Sequence, residues 1–442
     1  MRKHQLIVAL STLGFAGSAL ATNGMNLEGY GPIAAGMGGA SMAYDNGTAA
    51  VMNNPATLGL MGQGSRLDIA VGMLGPDVEV VGGQKSGGDA YYMPAVGWTR
   101  KAGALTYGVA LFAQGGMGTE FNMGMDGLPE RSELGVGRLI APIAYNVTPD
   151  FTIGGSLDFV WAMLDMKMAM PLTGMAGLIT PAGMGNGTLM TALGGMMGAG
   201  GGAPNEVARL DFSDGSDYTG KAKGYGMAGK IGFTYKVNPM FTIGGTYHSK
   251  TSLGDLKTGS SGASMMVSDP ALGTLATVPG KITVRDFQWP ETYGLGVSVQ
   301  ATPALLIAAD VKRIGWKDVM KDFTMTYSAM GDSVTFALPQ NWDDQTVFQI
   351  GGAYKVNDKL TLRAGANLAD NPIPSAYMHY LFPAIVEDHY TLGLGYAFDK
   401  DNEVNFSLQH APEVKQTNTG TMPGVTVAHS QTSWQLMYSK RF

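Results

Sequence analysis

The 442-residue chain has no cysteine, and only 14% of its residues are charged, against roughly 25% in an ordinary soluble domain. The first absence removes any disulfide framework or thiolate metal site. The second leaves too few charges to cover a typical water-exposed surface. Long hydrophobic runs are missing as well: no stretch of about eighteen residues is apolar throughout and free of glycine and proline, which disfavours a bundle of membrane helices. Nor is there a basic excess. Acidic residues number 35 against 29 basic, a net charge of −6, which argues against nucleic acid as a partner. What is present is 45% apolar residues, 65 glycines and 30 methionines. A closed membrane β-barrel accommodates both the low charge and the interrupted hydrophobicity, because lipid-facing and lumen-facing residues alternate along each strand. A single large barrel would use the whole chain.

Residues 1–21, MRKHQLIVALSTLGFAGSALA, carry Arg2 and Lys3, an apolar run from Leu6 to about Gly17, and Ala19-Leu20-Ala21 as a small-x-small cleavage site. This pattern is that of a secretory signal peptide. An N-terminal membrane anchor would need a longer apolar span. The mature chain is expected to begin near Thr22 with net charge about −8, once Arg2 and Lys3 are removed.

From about residue 66, short stretches alternate apolar and polar residues, the period of a strand whose two faces meet different surroundings. Phe151, Ile153, Leu157, Phe159 and Trp161 share one face, with Thr152, Ser156 and Asp158 on the other. Tight turns recur in YNVTPDFTIGG (145–155), YKVNPMFTIGG (235–245), VQATPALLIAA (299–309), YKVNDKLTLRA (354–364) and YAFDKDNEVNF (396–406), and a further turn follows Trp98. Each places an aromatic or apolar residue before a Pro or Asn/Asp turn. Six short turns and seven longer connections, at about 75–89, 115–131, 166–217, 252–283, 316–343, 369–386 and 411–429, predict fourteen antiparallel strands. The chain ends on Trp434, Leu436, Tyr438, Lys440 and Phe442 at alternate positions. A terminal strand finishing on phenylalanine is similar to the assembly signal of bacterial outer-membrane barrels, although Lys440 departs from the usual apolar residue. A secreted soluble β-sandwich would have to expose Phe, Trp, Tyr and Leu on nearly every strand.

Two segments lack the alternation. Residues 22–65 are small and glycine-rich, and could plug a lumen. Within them, GMGGASMAYDNGTAAVMNNPATL (36–58) resembles the N-terminal hatch of FadL-type outer-membrane transporters of long-chain fatty acids and other hydrophobic compounds, with Asn54-Pro55-Ala56 at the family's motif position. The resemblance implies an all-β, 14-stranded transmembrane barrel (66–442) in the bacterial outer membrane, with an N-terminal hatch (22–65) inside it. It also implies that Thr22, Asn23, Gly24 and Met25 reach into a ligand pocket, and that a kinked third strand opens the wall laterally. That strand lies at about 104–114, with Gly103 and Gly108 as the candidate deformable points. The second segment, Met168–Asn205, contains no charged residue. Pro171, Pro181 and Pro204 break any 20-residue helix. Exposed apolar surface of this kind marks a binding site, and methionine suits adaptable apolar ligands. By resemblance, it forms a ligand-capturing groove with the neighbouring loop 252–283; the candidates are Met168, Met170, Leu172, Met175, Leu178, Met184, Met265 and Met266.

Enzyme chemistry finds little support. None of the five mature-chain histidines stands in an HExxH arrangement and there is no GxSxG element. A Ser/His pair such as Ser249 beside His248 is the kind of element that a lipase would need, and His248 reads better as a polar loop-end or lumen residue. Met166, Met168 and Met170 alternate as thioether copper ligands could, yet no histidine lies near them. No metal or cofactor is expected. The expected partners are a hydrophobic ligand, outer-membrane lipid and lipopolysaccharide, and the barrel assembly machinery, with the protein a monomer. A carboxylate ligand would need a lumenal cation, for which Arg363, Lys230, Lys312, Arg138 and Lys167 are candidates; pairing with lumenal carboxylates such as Asp158 and Asp310 is an equal reading for each. Passive uptake of fatty acids or related hydrocarbons is therefore expected. A general aqueous porin and a transporter of uncharged aromatic hydrocarbons stand as alternatives.

Overall fold

Alternation along the strands sorts side chains between lipid and lumen. Leu139, Ile143, Ile153, Leu157, Ile231, Leu295, Ile350 and Leu392 are exposed on the outside of the wall, while Ile140, Ala144, Asp158, Lys230 and Thr391, on the other face of the same strands, are buried. The computed structural model describes residues 23–180, 188–189, 191, 206–216, 218–269 and 273–442. Its strands are β1 (Gly64–Leu74), β2 (Pro76–Val80), β3 (Tyr91–Ala102), β4 (Leu105–Phe121), β5 (Glu130–Asn146), β6 (Phe151–Pro171), β7 (Val207–Phe212), β8 (Ala222–Lys236), β9 (Phe241–His248), β10 (Ser252–Leu253), β11 (Leu256–Lys257), β12 (Ala263–Asp269), β13 (Gly273–Arg285), β14 (Thr292–Thr302), β15 (Leu305–Ile314), β16 (Asp322–Ala329), β17 (Asp332–Pro339), β18 (Gln345–Lys355), β19 (Leu360–Ala369), β20 (His389–Ala397), β21 (Asn402–Thr417) and β22 (Thr426–Arg441).

Around the wall β1 pairs with β3, then β4, β5, β6, β8, β9, β14, β15, β18, β19, β20, β21 and β22 follow, each antiparallel to the last. The ring closes where β22 meets β1, with Leu67 opposite Lys440. Closure leaves no open edge, so the backbone groups of the wall are paired without help from solvent.

The expectation of fourteen strands joined by irregular loops is corrected here: the strands form one 22-stranded sheet. Stretches read as loops carry β2, β7, β10 to β13, β16 and β17, and β4, β6, β21 and β22 run well past the residues assigned to them. The reason is physical. Beyond the lipid layer some strands are covered on both faces; in β7 every residue but Asp211 is buried. A test for alternation cannot see a strand that has no exposed face.

Inside the ring, Asn23 to Gly59 form a plug that is buried except at Asp45. It contains only short helical turns, at Pro32–Ala35, Gly47–Val51 and Pro55–Leu60. Wall side chains hold its backbone: Asp310 accepts from Ser41 N (2.6 Å) and Met42 N (3.1 Å), and Asp68 accepts from Thr48 N (2.8 Å).

Candidate transport route

At the loop end of the barrel, Met170, Pro171, Gly174 and Leu178 form one side of an apolar groove of about 590 Å³. Its other side comes from Leu338 and Pro339 at the end of β17, Tyr377 and Tyr380 from the β19–β20 connection, and Met422 and Pro423 from the β21–β22 connection. Among the described residues, none of the loop 252–283 lines it. Met168, Leu172, Met175 and Met265 pack into the core instead, Met266 is half-buried with Thr274 Oγ1 against its sulfur at 3.6 Å, and Met184 lies outside the described residues. His379, also on the groove, is half-buried and stacked on Tyr380, and its desolvation there pushes the imidazole down to about 4.

Gln340 borders both this groove and a chamber below it. The chamber is lined by Met25, Met117, Leu134, Leu164, Phe287, Met320, Phe323 and Phe382. Among the described residues, the lining includes no charged group. The side chains leave only about 10 Å³ between them, at the lower limit for one water. Met25, fully buried, is the plug's contribution; Thr22 lies outside the described residues.

What positions this N-terminal tail is a feature that alternation did not reveal. Three wall strands are interrupted where β13 gives way to β14, β15 to β16 and β17 to β18, and each interruption turns a tryptophan inward. Trp289, Trp316 and Trp342 stack edge-to-face, at 5.8 and 5.2 Å between centroids. Gly24 lies against Trp316, and Trp289 Nε1 donates to Asn26 Oδ1 at 2.8 Å. Asn26 also accepts from Gln114 Nε2 (3.2 Å) and bridges to Gly115. A sequence signal existed: three of the chain's six tryptophans stand in QWPE, GWKD and NWDD, polar contexts unlike a lipid-facing strand.

Gly115 marks a break in β4. Its φ of +155° lies at a bulge, and a Cβ there would sit 2.0 Å from Met25 O, so only glycine allows the tail to approach. Near the same level β3 and β4 part. They pair up to Val96 opposite Leu111, after which β3 continues along β1 to Tyr91 and β4 along β5 to Phe121. Met93, Pro94 and Ala95 face Phe112 and Ala113 across the gap, with Leu27, Tyr30 and Gly31 of the plug behind them. Tyr30 donates to Gln114 O at 2.5 Å. The structure thus puts the irregularity at Gly115; Gly103 is in the β3–β4 turn, and Gly108 is in register opposite Thr99.

The Asn54-Pro55-Ala56 motif caps a helical turn, with Asn54 Oδ1 accepting from Ala56 N (3.1 Å). Asn54 Nδ2 donates to Met42 O (2.8 Å) within the plug and to Phe233 O (3.0 Å) on the wall. The motif anchors the plug to the β6–β8 side, away from the β3–β4 gap. Asn23 is paired to Asn26 through backbone hydrogen bonds.

The candidate cations are largely committed. Arg138 and Lys230 both bind Asp158, the former at 2.7 Å, and all three are buried. Arg363 donates to Asn405 Oδ1 (2.9 Å). Lys312 shares a face of β15 with Asp310, whose charge attracts it, and Lys167 is half-buried on β6 between Arg131 and Asp211 in register. His248 Nε2 lies 2.8 Å from Asn53 O, a structural contact with the plug. No cluster of three His, Cys, Asp or Glu suited to a metal occurs among the described residues.

A plugged antiparallel barrel with an apolar chamber defines an outer-membrane transport protein. The family model described as outer membrane protein transport protein (OMPP1/FadL/TodX) matches residues 7–438, and the chain belongs to this family of transporters, which are not enzymes. It is similar to the toluene transporter TodX of P. putida, at 30% identity and TM-score 0.82 over 94% of this chain and 99% of that one. It is also similar to the toluene transporter TbuX of Ralstonia pickettii, at 30% identity and TM-score 0.77 over 94% and 99%. An uncharacterised protein from the 5′ region of a phosphoenolpyruvate carboxykinase gene of Chlorobium limicola is 54% identical over 74 residues, 16% of this chain and 36% of that protein.

Proposed function

We propose that the protein carries small uncharged hydrocarbons, monoaromatics foremost, passively across the outer membrane. The observation that carries this reading is the chamber lining: methionine, leucine and phenylalanine with a single amide at Gln340. A carboxylate entering such a site would lose its hydration without meeting a cation. Arg138 and Lys230 are both engaged by the single carboxylate of Asp158, and neither lines the chamber. That two relatives at 30% identity are described as toluene transporters supports the choice.

In this reading a hydrocarbon is first held in the loop-end groove, where burial contributes about 25 cal/mol per Å² of apolar surface. It then passes Gln340 and Phe382 into the chamber by displacing Met25. Movement of the tail, hinged near Asn26, exposes the β3–β4 gap, and the ligand leaves sideways into the membrane between Met93 and Phe112. No energy source is needed, because the ligand moves from a dilute aqueous phase into an apolar one.

Uptake tests the proposal. Cells lacking their own hydrocarbon channel and expressing this chain should accumulate labelled toluene faster than the empty-vector control at low concentration, with little gain for oleate. Equal gains would reject the preference for uncharged cargo. A large steady ion current through the purified protein in a planar bilayer would reject the plugged transporter altogether.

A further inference from the structure

The lumen face of β18 to β22 carries polar side chains that the transport route does not use. Register aligns them in one patch: Gln349 lies opposite Asn367, Asn367 opposite His389, Thr391 opposite Gln409, and Gln409 opposite Ser433, with Gln431 one step beyond, opposite Ala411. All are uncharged in type apart from the titratable His389, and none is more than 3% exposed. Yet Gln349 Oε1, Asn367 Oδ1, both ring nitrogens of His389, Gln409 Oε1, both amide atoms of Gln431 and Ser433 Oγ have no hydrogen-bond partner among the described residues.

The patch is covered from two sides. On the plug side Gln349 Nε2 donates to Glu28 O (2.6 Å), and Thr391 Oγ1 accepts from Gly38 N (2.9 Å). On the loop side the β19–β20 connection closes over it, where Pro383 O lies 2.7 Å from His429 Nδ1; His429 Nε2 is likewise unpartnered among the described residues.

Buried polar groups in native proteins are overwhelmingly hydrogen-bonded to protein or ordered water. So many unpaired groups on one face of neighbouring strands would be strongly destabilising if that face were dry. The patch mixes donors and acceptors and carries no formal charge that would select an ion. We infer that this face encloses a second lumenal compartment that binds a cluster of ordered water, separate from the apolar chamber. Water there donates to the glutamine and asparagine oxygens and accepts from Gln431 and His389. It also solvates the plug where Glu28 and Gly38 dock, so that on this side the plug's hydrogen bonds can exchange with water as it moves.

The test is hydroxyl-radical footprinting by X-ray pulse on the full mature chain in lipid nanodiscs, where radicals form from bound as well as bulk water. After correction for intrinsic reactivity, His389 and His429 should be modified within about threefold of exposed His410, because ordered water contacts them despite their burial. Phe287 and Phe336, buried and without a polar side-chain atom, should be modified at least about tenfold less. Protection of His389 and His429 equal to that of the two phenylalanines would overturn the inference. A second measurement is independent of the first: the variant Gln409→Met/Gln431→Met/Ser433→Ala should melt at the same or lower temperature if the compartment is wet. A higher melting temperature would mean that unsatisfied groups had been removed from a dry core, and would overturn it. Should the variant fail to fold, the footprint of the unmodified chain decides alone.

Discussion

The two sides of this lumen are built on the same wall, with the same alternation and similar burial, yet present opposite chemistry. Toward β4 to β6 and β13 to β17 the interior is Met117, Leu134, Leu164, Phe287, Phe323 and the Trp289–Trp316–Trp342 stack. Toward β18 to β22 it is Gln349, Asn367, His389, Gln409, Gln431 and Ser433. The difference teaches that the plug is held by two kinds of contact. On the apolar side the hydrogen bonds from Trp289 and Gln114 to Asn26, and from Tyr30 to Gln114 O, sit beside rings that water cannot replace. On the polar side each backbone contact is one that water can substitute.

The largest expected effect tests what holds the two buried cations in place. Asp158→Ala leaves Arg138 and Lys230 buried without their carboxylate, which should cost about 3–5 kcal/mol of stability, read as a drop in the barrel's melting temperature. Protein that survives should gain affinity for a long-chain carboxylate, measurable by fluorescent fatty-acid binding. An unchanged melting temperature would show that the cluster is solvated. Gly24→Ala comes next. At φ +67°, with a Cβ placed 2.7 Å from the Trp316 ring, the docked tail should be destabilised by about 1–2 kcal/mol from the backbone alone. Toluene uptake at low concentration should change with it, and no change would remove the tail from the route.

A paired comparison is smaller but sharper. Trp289→Phe deletes the donor to Asn26 and should loosen the tail by about 1 kcal/mol, seen as faster hydrogen exchange at residues 23–27. Gln349→Met deletes the donor to Glu28 O on the other side and should leave exchange at Glu28 nearly unchanged, because water replaces the lost bond. Equal responses would erase the distinction between the two sides. The smallest effect is on pH. His379 titrates near 4 in the folded groove against about 6.5 when exposed, so between those values the unfolded chain binds a proton that the folded chain does not. Stability from this residue is full above about pH 6.5 and is lost as pH falls toward 4. His379→Gln should flatten that part of a thermal-melt profile.

Much of this was legible where lipid touches one face of a strand. Residues 151–161 alternate because Ile153, Leu157 and Phe159 meet acyl chains while Asp158 does not. The plug was legible from its composition and its resemblance to the FadL-type hatch. What escaped was whatever the membrane does not pattern: β7, buried at every residue but Asp211, and the strands β12, β13, β16 and β17, which lie beyond the lipid. The loop-end groove was half-read. Met170 and Leu178 reach it, but its partner segments are the β19–β20 and β21–β22 connections, a neighbourhood set by barrel curvature that sequence order does not convey. Arg138 and Lys230 were visible as lumenal cations, and their pairing with Asp158 was already an open reading. The break at Gly115 stands one residue past the expected third strand, in a run of glycines that sequence alone cannot rank.

The seam where Ser65 N donates to Phe442 O (2.7 Å) and Phe442 N to Ser65 O (2.9 Å) carries a consequence for how the molecule is made. It joins the first wall residues to Phe442, the most distant in sequence of the backbone pairings between described wall residues, and so demands the greatest loss of chain entropy among them on closing. The plug immediately precedes β1 and cannot be threaded through a finished ring. Residues 23–59 must therefore be enclosed as the sheet curls around them, and the final zippering of β22 onto β1 locks them in. Order of synthesis and order of completion are thus opposite here: the part made first is the part that the last-made strand seals.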